Sequence, residues 1–160
     1  MADKEKMTLI MFSGEMDKVL AAFNIAIGGA SSGMDVTMFF TFWGLNVIKK
    51  NEGSIKSKGI MRNMLNYMNR GGAKRLPLSK FHMAGAGKAM MQRLMKDINF
   101  PQVDELMRIA KELGVKFIAC TTTMGMMGIT KDAFITEVDS FAGVATYIAV
   151  ARESKINLFI

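Results

Sequence analysis

The sequence predicts an α/β fold in which a mostly parallel sheet carries helices on both faces. Apolar, strand-like runs alternate along the chain with amphipathic helical segments, the pattern typical of βαβ units. Two of these runs, at 34–42 and 115–119, are almost continuously apolar, as expected for strands covered on both sides. A chain of 160 residues is long enough to bury a core of this kind without disulfides. With one cysteine, no disulfide can form within the chain.

The first half of the chain begins with a predicted βαβ unit. A strand at 7–13 leads through Ser13-Gly14-Glu15 into a helix that ends at Gly28-Gly29. The apolar positions of that helix recur at i, i+3 and i+4, namely Met16, Val19, Leu20, Phe23 and Ile27. The second strand at 34–42 follows, and a short helix is predicted at 45–50.

Residues from about 51 to 100 interrupt the alternation and are predicted to be a partly helical insertion in a single domain spanning 1–160. Gly, Met and Lys are frequent here, no clear strand is present, and helical segments are predicted near 60–69 and 88–97. Methionines fall at helical spacing, which favours a core or subunit-interface role, with an adaptable surface for a partner or lipid as the alternative. The helical stripes consist of Met61, Met64 and Met68, and of Met91 and Met95.

The second half of the chain returns to the strand and helix pattern. A helix from Pro101 ends at Leu113-Gly114 and precedes the strand at 115–119. A loop, TTTMGMMG, is predicted at 121–128, followed by a short fourth strand at 135–138. An apolar helix at 141–151 and a closing strand at 156–160 complete the predicted fold.

The formal net charge of +7 is concentrated in the insertion. Ten basic residues and one acidic residue, Glu52, lie between Lys49 and Lys88. Such a segment can attract an anionic membrane, an acidic protein or a small anion, or it can simply be solvated. Nucleic acid is not expected, because few aromatic residues accompany these charges. With no secretory signal and no long uninterrupted apolar segment, we expect a soluble cytoplasmic protein in a reducing compartment.

Cys120, the only cysteine, follows a buried strand and is the candidate catalytic residue. The carboxyl ends of parallel strands are where ligands and reactive groups gather in open α/β sheets. A thiol becomes reactive when nearby donors stabilise its thiolate. Hydroxyls at Thr121, Thr122 and Thr123 and a backbone N–H near Gly125 are the candidate anion-stabilising groups. The alternative is an inert, packed cysteine.

Other candidate functional residues give weaker signals. His82, the sole histidine, is expected to be solvated or structural unless the insertion folds over the cysteine. Glu15 also lies at the carboxyl edge, although a helix start is sufficient reason for an acidic residue there. Gly85-Ala86-Gly87-Lys88 lacks the preceding strand and the following Ser or Thr of a phosphate-binding loop. We expect neither a metal site nor another cofactor.

Four segments together resemble the DsrE/DsrF-like family, in particular its larger members described as DsrE-type sulfurtransferases or peroxiredoxin-like proteins. They are LIMFSGEMDK, FFTFWGLNVIKK, GVKFIACTTTMGMMGI and AGVATYIAVA, which span nearly the whole chain. The resemblance implies a three-layer α/β/α sandwich, flavodoxin-like in general character, on a mostly parallel sheet of about five strands. It also implies a homo-oligomer.

The resemblance further implies that Cys120 carries sulfane sulfur as a persulfide. Sulfur would pass along relays with TusA-like carriers or rhodanese-like enzymes. A peroxiredoxin role would need a resolving thiol from another molecule, because the chain has one cysteine. The rival hypothesis is a binding or scaffold subunit that uses the sheet-edge crevice or the Met-rich basic insertion to dock a partner, a small anion or a membrane surface.

Overall fold

The computed structural model describes residues 4–52 and 56–160, and it begins with the predicted βαβ unit. Strand β1 (Lys6–Met11) leads into helix α1 (Met16–Ser31), which returns the chain to strand β2 (Asp35–Phe40). β1 ends earlier than predicted, because the N–H groups of Phe12 and Ser13 both donate to the carbonyl of Ile160 instead of continuing the ladder.

The described residues contain five strands, which form one parallel sheet in the order β4-β3-β2-β1-β5. Strand β3 spans Lys116–Cys120, β4 spans Ser140–Ala142 and β5 spans Ile156–Phe159. The central strands β1, β2 and β3 are the most apolar, as expected for strands with neighbours on both edges. The mostly parallel α/β fold predicted from the sequence is confirmed.

Helices cover the sheet on both faces, which makes the three-layer sandwich. Helices α1 and α4 (Val103–Glu112) pack on one face, where Phe23 of α1 contacts the rings of Phe40 and Phe117. Helix α6 (Val144–Arg152) covers part of the other face through Tyr147, whose ring lies 5.1 Å from that of Phe39. Because side chains alternate along a strand, Cys120 falls on the α6 side of the sheet.

The insertion contains helices α2 (Ile60–Met68) and α3 (Ala86–Asp97), close to the predicted positions. Its methionines correct part of one expectation: Met61, Met64 and Met68 are 79, 58 and 78 % exposed in the single chain, so they do not belong to the core, and a role at a subunit or partner interface stays a prediction. Met95 is buried. The reason is that α2 directs its polar Asn66, and not its methionines, towards the rest of the molecule.

Three local predictions for the chain beyond β3 were wrong, and each has a physical reason. Residues 121–128 are not a loop: helix α5 (Thr121–Met127) starts directly after β3, and Thr123, Met124 and Met127 bury one side of it. The fourth strand is not 135–138, because the Ile135 N–H donates to Ile48 in a short antiparallel bridge region. The sheet gains its edge strand only at Ser140, so α6 begins after that strand.

The predicted helix at 45–50 is replaced by a 3-10 turn at Phe42–Asn46. The chain turns away from β2 at Phe42, the first residue of this turn, which has a left-handed backbone conformation with φ of 46°. Lys49 beyond the turn pairs with Phe134. No helix in the described part of the chain is long and apolar enough to cross a membrane.

Candidate active site at the carboxyl edge of the sheet

Cys120 is the last residue of β3 and lies at the carboxyl edge of the sheet. It pairs with Ala142 of β4, packs in a small cluster with Phe39, Ile118 and Tyr147, and is 4 % exposed. The thiol is therefore held by rigid strands and is largely shielded from solvent.

Helix α5 places one threonine hydroxyl against the sulfur. Thr123 is buried, and its hydroxyl lies 3.7 Å from Cys120 Sγ in donor geometry. Thr121 and Thr122 are exposed, although the backbone N–H of Thr122 contributes to the environment of the sulfur. Of the three predicted hydroxyls, Thr123 is thus the one that the fold brings to the thiol.

A second hydroxyl comes from Thr41, which the sequence analysis missed. Phe40 of β2 pairs with Ala119 of β3, so the next residues on the two parallel strands, Thr41 and Cys120, fall side by side. The hydroxyls of Thr41 and Thr123 are 2.9 Å apart. The signal was present in the sequence, since Thr41 is the next-to-last residue of the predicted strand at 34–42 and so lies at the same edge of the sheet as Cys120.

The turn after β2 fixes Thr41 and carries an aromatic rim, the side chains of Phe42 and Trp43, at the carboxyl end of that strand. The N–H of Phe42 donates to the Thr123 hydroxyl at 3.4 Å. Gly44 N–H donates to the Phe12 carbonyl at 2.8 Å, which ties the turn to the end of β1. Phe42 and Trp43 are 38 and 42 % exposed, and the Phe12 ring lies 5.1 Å from that of Phe42.

These contacts determine the protonation of the thiol. Burial opposes ionisation, but the Thr123 N–H, the hydroxyls of Thr41 and Thr123 and the Thr122 N–H outweigh it. The pKa of the Cys120 thiol therefore lies below its ordinary value. Donors that converge on sulfur favour the thiolate, which is the nucleophilic form.

The other predicted site residues lie elsewhere. Gly125 is an exposed residue within α5, so its N–H belongs to a helix and not to an open loop. Glu15 is the N-cap residue of α1, accepts a hydrogen bond from Ser13 and forms an ion pair with Lys18 at 2.9 Å. His82 Nδ1 accepts a hydrogen bond from the Leu78 N–H within the insertion. Within residues 4–52 and 56–160, no group of three or more His, Cys, Asp or Glu side chains is placed to hold a metal ion.

Replacing Thr123 with valine is expected to slow modification of Cys120. Valine keeps the shape of threonine but lacks the hydroxyl that donates a hydrogen bond to the Cys120 thiolate. The pKa of the thiol should therefore rise. We expect roughly tenfold slower alkylation at pH 7, with the whole rate profile displaced to higher pH. The rate of iodoacetamide modification measured between pH 5 and 10 tests this.

Thr122→Val is the matched control, since it makes the same chemical change on the exposed side of α5 and retains the backbone N–H. It should react at the wild-type rate. Equal rates for Thr123→Val and wild type would contradict the role given to the Thr123 hydroxyl.

Fold and site together define a class: a parallel α/β sandwich with a hydrogen-bonded thiol at the carboxyl edge of its sheet. The chain belongs to the DsrE/DsrF/DrsH-like family, whose sequence model matches residues 3–159. It is 40% identical over 156 residues to the uncharacterized protein YrkE of Bacillus subtilis, covering 98% of this chain and 97% of YrkE. It is 32% identical over 165 residues to the sulfur carrier protein DsrE2 of Allochromatium vinosum, covering 99% of each.

Two solved structures have a similar fold at 11% sequence identity. One is a protein of unknown function, MTH1491, from Methanobacterium thermoautotrophicum, with a TM-score of 0.54. The other is the ychN protein of E. coli, with a TM-score of 0.57. Each match covers 97% of this chain and 99% of the other.

Proposed function

We propose that the protein is a sulfur carrier that holds sulfane sulfur as a persulfide on Cys120 and transfers it to an acceptor thiol. The observation that carries this proposal is the convergence of Thr41, Thr123 and two backbone N–H groups on one sulfur atom at the sheet edge. Membership of the DsrE/DsrF/DrsH-like family and similarity to a protein named as a sulfur carrier support it.

The first step is attack by the Cys120 thiolate on the sulfane sulfur of a donor. A new S–S bond forms at Sγ, the bond between that sulfur and the remainder of the donor breaks, and the leaving group departs with the electron pair. Lowering the thiol pKa raises the fraction of chains that carry the nucleophile at neutral pH.

The second step returns the protein to its starting state. An acceptor thiolate attacks the outer sulfur of the persulfide, and the electron pair of the S–S bond returns to Cys120 Sγ as thiolate. The hydroxyls of Thr41 and Thr123 stabilise this leaving thiolate as they stabilise the resting one. No external oxidant or reductant is needed, because sulfur moves without net electron transfer.

The acceptor is proposed to be a protein, with TusA-like or rhodanese-like relay partners as the expected class. The aromatic rim formed by Phe42 and Trp43 offers exposed apolar area at the carboxyl end of β2, the strand beside that of Cys120, and aromatic residues are common anchors at protein interfaces. A partner seated there would bring its own thiol to the edge where Cys120 lies.

A docking function for the insertion is the second candidate, favoured by its exposed apolar side chains. Helix α2 and the segment before α3 expose Ile60, Met61, Phe81 and Met83 at 72 to 90 %. Large apolar side chains exposed in such number within the insertion favour an interaction surface. Assembly of the chain with itself would cover them, and light scattering of the purified protein measures that state.

Intact mass after incubation with a sulfane-sulfur donor tests the sulfur-carrier proposal. The reduced protein should gain one sulfur atom, and a reductant should remove it. Protein alkylated on Cys120 beforehand is the control and should gain none. A reduced protein that gains no sulfur, with a thiol that is modified only after denaturation, would refute the proposal in favour of the docking function.

A further inference from the structure

A basic cavity lies at the opposite end of α5 from Cys120 and plays no part in the chemistry above. Its volume is about 270 Å³, and its walls come from the segment after the Phe42–Asn46 turn, the end of α2 and residues 130–133. Asn66 Nδ2 donates to the Met127 carbonyl at 3.1 Å, which places this wall at the carboxyl end of α5. Cys120 precedes the other end of that helix.

Cations outnumber acids in the cavity wall. The four basic side chains are those of Lys49, Lys50, Lys56 and Arg70. The two acids are Glu52 and Asp132, of which Asp132 is already engaged: a hydrogen bond from Thr130 and the charge of Lys50 lower the pKa of its carboxyl. The wall therefore carries an excess of positive charge that attracts an anion.

Lys49 is the unusual member of this wall, because it is 2 % exposed. Its ammonium donates to Asn46 Oδ1 at 2.8 Å and to the Asn69 carbonyl at 3.5 Å. In the described part of the chain no carboxylate lies within ion-pair distance of it, and burial lowers its pKa to about 8. A buried cation without a counter-charge costs free energy that a bound anion would offset.

The Lys49 side chain cannot easily turn away from this position. A Cβ on Gly71 would lie 2.4 Å from Lys49 Cδ and 2.7 Å from its Cβ, so the backbone at Gly71 is packed directly on the lysine stem. The site for the charge is thus fixed by the fold.

Hydrogen bonds then determine which cavity atoms remain free. Because the Lys49 ammonium only donates, Asn46 must accept through Oδ1, and its Nδ2 donates to Asn69 Oδ1 at 2.6 Å. Asn69 Nδ2 is then a buried donor with no partner among the described residues. Asn69 lines the cavity, so this unpartnered amide donor lies in the cavity wall beside the cations.

The same reasoning leaves one free acceptor. Ser57 donates its hydroxyl proton to the Gly128 carbonyl, so it must accept from Asn66 Nδ2 at 2.7 Å. The opposite atom, Asn66 Oδ1, has no donor in the described part of the chain, and Asn66 is 2 % exposed. Asn66 also lines the cavity, and its unpaired buried acceptor is satisfied only by a donor that reaches it.

We propose that this cavity binds an oxyanion that retains a hydroxyl proton, of which hydrogen phosphate is the simplest. Its charged oxygens would accept from Lys49, Arg70 and Asn69 Nδ2, and its hydroxyl would donate to Asn66 Oδ1. Sulfate has similar size and charge, but it carries no proton at neutral pH. It would therefore leave Asn66 Oδ1 without a donor. The volume accommodates such an ion together with several water molecules at ~30 Å³ each.

Titration calorimetry of the full chain with sodium phosphate and with sodium sulfate, at equal ionic strength and pH 7, tests the proposal. We expect saturable phosphate binding that is at least about tenfold tighter than sulfate binding. This ratio corresponds to one hydrogen bond to a charged group, here the bond from the phosphate hydroxyl to Asn66 Oδ1. Equal affinities for the two ions, or no saturable binding of phosphate, would overturn it.

Variants separate the cavity from general surface charge. Lys49→Met keeps the stem under Gly71 and should abolish phosphate binding, whereas Lys80→Met, an exposed change of the same kind, should not alter it. Arg70→Gln provides a surface change that leaves the buried network intact and should weaken binding several-fold, roughly fivefold. Phosphate binding unchanged in Arg70→Gln and in folded Lys49→Met would refute the site.

This inference is independent of sulfur transfer. Cys120→Ala should bind phosphate as the wild type does, because the thiol lies beyond the far end of α5. Failure of sulfur loading and failure of phosphate binding are therefore separate results.

Discussion

Cys120→Ala is expected to abolish sulfur loading completely while the protein remains folded. The chain has no other thiol, so no side chain remains that can form a persulfide. Alanine keeps the backbone and removes one buried atom, which should cost on the order of 1 kcal/mol of stability. Intact mass after incubation with a sulfane-sulfur donor measures loading, and urea denaturation measures the free energy of unfolding.

Cys120→Ser is the stricter variant, because its hydroxyl can occupy the place of the thiol between Thr41 and Thr123. It should be as unreactive as alanine, since an alcohol does not ionise at neutral pH and cannot hold sulfur in this way. Sulfur retained by either variant after removal of free donor would mean that loading does not occur at this residue.

Gly44→Ala is expected to be the most destabilising small substitution near the site. An added Cβ would lie 1.9 Å from the Met11 carbonyl oxygen and 2.6 Å from its carbon. These are backbone atoms at the end of β1, so the turn itself must move. We expect a loss of about 3 kcal/mol or more, a decrease in Tm of roughly 6–12 °C for a chain of this size.

Gly28→Ala is the control for Gly44→Ala. Gly28 lies within α1, and a Cβ there would meet no other atom within 4 Å. Alanine is the better helix former, so this variant should be as stable as the wild type or up to ~1 kcal/mol more stable. A Gly44→Ala protein that unfolds at the wild-type temperature would contradict the packing described for the turn.

Displacement of the Gly44 turn should also reach the thiol. Thr41 precedes the turn and contacts Thr123, so a shift there removes a donor from the sulfur environment. We therefore expect surviving Gly44→Ala protein to react more slowly with iodoacetamide at pH 7.

The parallel sheet could be predicted from the sequence because its signals are local. The apolar runs of β1, β2 and β3 and the amphipathic patterns of α1 and α4 lie within single segments. The error at 135–138 arose because a long-range pairing competed with a local pattern. Ile135 resembles a strand residue, but its N–H donates to the Ile48 carbonyl beside the isolated Lys49–Phe134 bridge, and the residue takes no part in the main sheet.

The position of Cys120 followed from its strand, whereas its partners depended on the three-dimensional arrangement. Three consecutive threonines suggested three equivalent hydroxyls, but a helix presents only one of them, Thr123, to the interior. The spacing of Thr123, Met124 and Met127 indicates that helix in retrospect. Thr41 is distant from Cys120 in sequence. Its place beside the thiol could be predicted only by considering which strands end at the same edge of the sheet.

Under the proposed sulfur-carrier function, the single buried thiol has a consequence for the rate at which sulfur would be released. A persulfide extends the side chain by one S–S bond, about 2.05 Å, so the outer sulfur reaches further from the strand than the buried Sγ. With no second cysteine in the chain, the loaded protein cannot discharge itself by closing an internal disulfide. Each molecule then holds one equivalent of sulfur until an acceptor collides with it, and the rate of release becomes second order, proportional to the acceptor concentration.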